Sequence, residues 1–87
     1  MQANKGDVLK RLASIEGHLK GIRKMVEGDH YCVDILKQTY AVERALQKFE
    51  AVLVDGHLHG CVVEGFKRGR DREMVAELAE LFELSRR

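Results

Sequence analysis

Residues 29–61 read DHYCVDILKQTYAVERALQKFEAVLVDGHLHGC, and within them Ile35, Thr39, Val42, Leu46, Phe49 and Leu53 recur at alternating steps of four and three. That spacing lines one face of an α-helix. The chain contains no proline, so nothing in it removes a backbone donor from such a helix. The pattern predicts a helix from near His30 to about Val63, weakened in its last turns by Gly56 and Gly60. For a chain of 87 residues this is an unusually long rod.

Upstream, Val8, Leu12, Ile15, Leu19, Ile22 and Val26 repeat the same steps, and Gly28 is expected to close that helix. Downstream, a basic turn from Gly65 to Asp71 precedes a shorter helix with Met74, Leu78 and Leu81 on one side and Val75 and Phe82 beside them. The expectation is an all-α subunit of three helices, about 6–27, 30–63 and 71–85, in a single domain spanning 1–87. Aromatic residues make up 6% of the chain and tryptophan is absent, which disfavours a β-rich core. The length leaves no room for a multi-domain enzyme. A domain this small buries a modest fraction of its surface, and below roughly 70–80 residues support from a metal, a disulfide or a partner is common, so association is expected. No apolar run approaches the ~20 residues of a membrane span, and Met1 to Asp7 lacks a signal-peptide core. The protein is accordingly expected to be cytoplasmic, without a membrane partner.

Three residues in the long helix can ligate a metal. Cys32 stands at its start, and His57 and Cys61 stand near its end, four residues apart and so on one face. Continuing the apolar stripe carries all three into the expected buried seam. Buried cysteines are by default small hydrophobes, and a lone histidine is commonly a satisfied core residue, so spacing alone leaves packing and metal binding both open. Cys32 and His57 are 25 residues apart, about 37 Å along a continuous helix, and cannot meet on one ion within a chain. An intrachain disulfide is excluded likewise, because it needs Cα atoms within ~7 Å. Antiparallel pairing of two such helices about an axis near residues 45 and 46 solves the problem. It sets Cys32 of one subunit beside His57 and Cys61 of the other, and Ala45 near the crossing would permit close approach.

Two thiolates and an imidazole form a soft, low-coordinate set suited to Cu(I), one ion per subunit bridging two subunits, whereas structural zinc takes a fourth ligand. His30 and His59 are near in sequence, but His59 lies ~200° around the helix from His57. Nickel would require an additional nitrogen. A Cys–His enzyme fits poorly, since the chain shows no oxyanion-hole signature and no cleft for a small-molecule substrate.

The net charge of +1 hides an uneven distribution. Residues 1–24 carry six basic groups against two acidic ones, and residues 25–66 carry three against seven. Lys10, Lys20 and Lys24 fall within an arc of roughly 80° opposite the first apolar stripe, with Arg11 at its flank. Alone, this reads as a solvated face. On a symmetric assembly one modest basic stripe per subunit becomes several, which changes that weighing.

RLASIEGHLKGI (Arg11 to Ile22), DHYCVDILKQ (Asp29 to Gln38) and HLHGC (His57 to Cys61) resemble the three signature segments of the copper-sensitive operon repressor family, over roughly residues 7–85. The resemblance implies an all-α bacterial repressor without a helix-turn-helix. It implies an antiparallel four-helix-bundle dimer, assembling as a dimer of dimers into a homotetramer. Cu(I) at Cys32, His57 and Cys61 would release the promoter of copper-resistance genes. It also implies Tyr31 and Glu77 as hydrogen-bonding partners of the metal-bound histidine, and Arg11 and Lys48 as DNA contacts. His18, where relatives often carry glutamine, is expected to be structural or DNA-proximal. Alternatives within the fold are a nickel sensor and a persulfide or thiol sensor joining Cys32 to the partner subunit's Cys61. From another class, the alternative is a non-regulatory metal-binding helical protein.

Overall fold

The computed structural model describes residues 1–86; Arg87, the last residue of the expected 1–87 domain, lies outside them. The architecture is all-α. Helix α1 spans Lys5–Glu27 and α2 spans Cys32–His57; a π-helical turn, Leu58–Val62, leads into α3, Val63–Lys67, and α4 spans Asp71–Ser85. Leu58 and Val63 keep right-handed helical dihedrals, so α2, the π turn and α3 form one continuous rod. The rod ends four residues later than the expected 63.

Local chemistry sets the ends. Asn4 Oδ1 accepts the Asp7 amide N–H at 2.9 Å, which satisfies one of the free donors of the first turn of α1. At the other end Gly28 caps α1 as the sequence expects, with φ −88°, and the left-handed residue is the next one, Asp29, at φ 52°. The His30 amide donates to the Met25 carbonyl at 3.0 Å and closes a Schellman turn around Asp29. Aspartate tolerates this conformation better than most residues. Because the turn uses Asp29 and His30, α2 starts at Cys32, with Tyr31 at its cap.

α1 and α2 form an antiparallel hairpin. His18 Nε2 donates to Gln38 Oε1 at 2.7 Å, Ile15 shares a groove with Ala45, and Ala3 lies against Gly56. Val8, Ile15 and Val42 are buried between the helices. Leu19 and Val26, expected in the same seam, are 50% and 56% exposed, while His18 and Met25 take the inward flank. The apolar surface of α1 is wider than one neighbour can cover, and α2 covers one edge of it. Ala45 likewise faces α1 rather than the open side of α2 where a second rod would cross.

Past α3, Gly69 adopts φ 76° and the Arg70 amide donates to the Gly65 carbonyl at 2.8 Å, turning the chain into α4. Arg70 then pairs with Glu73 Oε2 at 2.6 Å in the first turn of α4. Among the described residues the buried apolar side chains are Val8, Ile15, Val42, Val62 and Met74. The radius of gyration is 17.3 Å in a body of 56 × 29 × 14 Å. A compact domain of this length would have about 12 Å. One chain is therefore a thin slab that leaves Leu36, Tyr40, Leu46, Val54 and Leu58 of the rod exposed.

Ile15→Ala removes the central contact of the hairpin and is expected to cost about 2–5 kcal/mol of unfolding free energy. Urea unfolding at one fixed protein concentration measures it, and an unchanged midpoint would show that Ile15 is not the centre of the core.

Candidate metal centre

His57 is the last residue of α2, and Cys61 follows within the π turn. Gly56 and Gly60 flank this step, and low helix propensity there makes an extra residue in one turn inexpensive. His57 and Cys61 line a cavity of about 350 Å³, together with Gln2, Arg68, Arg70, Met74 and Glu77. Glu77, on α4, brings Oε1 to 3.0 Å from His57 Nε2. The approach is close but out of line for a hydrogen bond, so this buried ring nitrogen has no hydrogen-bond partner among the described residues. With Nε2 turned to the Glu77 carboxylate, the other ring nitrogen, Nδ1, is left for a soft ion beside Cys61, a use that suits these side chains better than an apolar core does.

Cys32 and Tyr31 lie at the opposite end of the rod, both exposed. No three His, Cys, Asp or Glu side chains converge on one point among the described residues. The expected buried seam is therefore not formed within one chain: Cys32 is open to solvent and Cys61 half-buried. His59 turns away from the cavity, its Nδ1 donating to the Asp55 carbonyl at 2.9 Å, and His30 lies beside Gly28 at the α1–α2 turn.

The basic residues separate into two groups. Arg11 and Lys48, from different helices, meet at a groove of about 130 Å³ that also includes Ser14, and Arg11 is held by Asp7 at 3.2 Å. Lys10, Lys20 and Lys24 are exposed on α1 and form no ion pair among the described residues. Among the described residues, no helix is long and apolar enough to cross a membrane.

The model of a family described as metal-sensitive transcriptional repressors matches residues 4–84. The chain belongs to this family. The copper-sensing transcriptional repressor CsoR of Bacillus subtilis (strain 168) is 41% identical over 78 residues, covering 90% of this chain and 77% of the relative. CsoR of Mycobacterium tuberculosis (strain ATCC 25618 / H37Rv) is 36% identical over 80 residues, covering 92% and 67%. Among solved structures, CsoR with Cu(I) from Geobacillus thermodenitrificans NG80-2 superposes with a TM-score of 0.93 at 31% identity, covering 100% of this chain and 94% of that one. The nickel-responsive transcriptional regulator InrS gives 0.81 at 30% identity, covering 95% and 93%. The family is one of transcriptional repressors, not enzymes.

Sequence reasoning missed how the N-terminal segment reaches the repressor's cavity. A Cβ on Gly60 would lie 2.5 Å from Gln2 Cγ, and one on Gly56 would lie 2.7 Å from the Ala3 nitrogen, so residues 2 and 3 pack directly on the glycine face of the rod. The glycines were visible as helix-weakening residues, but nothing in the sequence tied them to Gln2 and Ala3. Gly60→Ala is expected to lift this segment while preserving the helical circular dichroism. Nuclear Overhauser contacts between Ala3 and Gly56 should vanish, and their persistence would show that the segment does not depend on the glycine face.

Proposed function

We propose that this chain is the subunit of a cytoplasmic, Cu(I)-responsive transcriptional repressor that binds promoter DNA without metal and releases it when copper binds, derepressing copper-resistance genes. The observation that carries the reading is the pairing of His57 and Cys61 at one end of a rigid rod whose other end presents Cys32 to solvent. Cys32 of one subunit, with the partner subunit's His57 and the partner subunit's Cys61, would hold one ion per subunit. Bound there, Cu(I) supplies a low-coordinate link between two subunits through soft donors. Glu77 and Tyr31 would orient the His57 ring, since a ligating imidazole uses its second nitrogen in a hydrogen bond that fixes its angle.

Two features support the assembly. Exposed Leu36 and Val54 stand nine residues either side of position 45, so a two-fold axis there apposes them, and the same axis brings Cys32 to the level of His57 and Cys61. The thin, open shape of a single chain supports a homodimer and, through the remaining apolar surface of α1, a homotetramer. In that assembly Arg11 and Lys48 at their groove, with Lys10, Lys20 and Lys24 on the outer face, would meet the phosphates of double-stranded DNA. Copper is favoured over nickel because His59 turns away and supplies no further nitrogen, and because relatives named for copper sensing reach 41% identity.

An anaerobic Cu(I) titration of the protein on its own upstream DNA tests the reading. Copper should weaken DNA binding by roughly 100-fold, at the upper part of the usual allosteric range. His57→Ala should bind DNA and fail to respond; release that survives this substitution would sink the metal assignment. The phosphate contacts predict a separate result: Lys48→Ala should lower the slope of log affinity against log salt by about 0.9 for each phosphate that Lys48 neutralises. An unchanged slope would remove Lys48 from the DNA interface.

A further inference from the structure

One buried contact in the wall of the cavity lies outside the proposed ligand set: Met74 on Gly65. Met74 is the buried residue of α4, at 6% exposure. A Cβ placed on Gly65 would fall 2.6 Å from both Cγ and Sδ of Met74 and 3.3 Å from Cε, so the side chain occupies the space that any other residue at position 65 would fill. The carbonyl of the same glycine accepts the Arg70 amide at 2.8 Å, which closes the corner between α3 and α4. Gly65 thus fixes α4 twice, once through the turn and once through the side chain seated on it.

Glu77 follows Met74 by three residues and shares its face of α4, and it is Glu77 that reaches His57 Nε2 at 3.0 Å. Gly65 lies eight residues beyond His57 on the same rod. The seat of Met74 and the Glu77–His57 contact are therefore two points on one short helix, held against two points on one rigid rod. If the seat rises by the width of a methyl group, the carboxylate one turn away moves with it.

We propose that Gly65 and Met74 act as positioning residues for the metal centre: their contact sets the reach of Glu77 to His57 and transmits events at His57 to α4. The inference deepens the functional reading above and rests on it. Neither residue is a ligand. The thioether of Met74 points into the glycine seat, and the demand on it is one of volume, so Met74→Leu preserves the function.

The test compares full-length wild type with Gly65→Ala, Met74→Ala, the double variant and Met74→Leu. For each, DNA affinity is measured without metal and with Cu(I) supplied anaerobically, and hydrogen exchange of the α4 amides is measured without metal. Gly65→Ala should keep its metal-free DNA affinity, exchange its α4 amides about tenfold faster, and lose about tenfold of the copper effect on DNA. Truncating Met74 to alanine removes Cγ, Sδ and Cε, the three atoms that a Cβ at position 65 would meet. The double variant should therefore recover both α4 protection and copper response relative to Gly65→Ala, a strong departure from additivity. Met74→Leu should behave as wild type.

Three results overturn the proposal: Gly65→Ala responding to copper as wild type does, a double variant worse than either single one, or Met74→Leu losing the copper effect on DNA as a variant lacking a ligand would. A wild-type protein that ignores copper would overturn the functional reading instead, and the exchange and rescue pattern of α4 would still decide the seat.

Discussion

An α-helix rises 1.5 Å per residue and does not fold back on itself, so the 25 residues between Cys32 and His57 hold these side chains about 37 Å apart. The continuity of α2, the π turn and α3 enforces the separation, and the absence of proline leaves the rod nothing to break it. In the proposed site the donors stand at two ends of a ruler. That site would close only when a second ruler lies alongside in the opposite direction, which would make assembly a condition of binding rather than an addition to it.

The same geometry accounts for the thin, incomplete core. Among the described residues five apolar side chains are buried, while Leu36, Tyr40, Leu46, Val54 and Leu58 are exposed along the rod. Fully burying one such side chain is worth about 1.5–3 kcal/mol, so an uncovered rod forgoes most of what a domain of this size needs. In the proposed dimer, the apolar face that supplies this burial is the one that aligns the donors. Folding, association and ligand alignment would then share one surface, and the proposed DNA contacts would lie on the outer face of α1 and at the groove of Arg11 and Lys48 that this surface leaves free. The chain belongs to the metal-sensitive transcriptional repressors. In the proposed repressor, a change at the metal would alter how the subunits sit and, through them, how they meet DNA.

Much of this was legible in the sequence because it depends on periodicity and distance along a helix. The apolar steps of α1 and α2 and the impossibility of an intrachain site follow from residue numbers alone. Other features escaped because they depend on which flank of a wide apolar stripe a neighbour covers. Leu19 and Ala45 changed places with His18 and Leu46 in this respect, and the steps of four and three do not distinguish the two flanks. Gly28 caps α1 as expected, but the left-handed turn falls on Asp29, the next residue, because aspartate also tolerates that conformation. The seating of Met74 on Gly65 and of Gln2 on Gly60 involves partners distant in sequence, and only the folded chain brings them together.

Whether the proposed metal site spans two subunits is decided by mixing subunits. Cys32→Ala and the His57→Ala/Cys61→Ala variant each lack a complete site as homodimers. Unfolded together and refolded, they form mixed dimers in which Cys32 from one chain faces His57 and Cys61 of the other. Neither variant alone should bind Cu(I) tightly, and the mixture should regain one tight site in each mixed dimer. A mixture with no more copper affinity than its components would contradict the shared site.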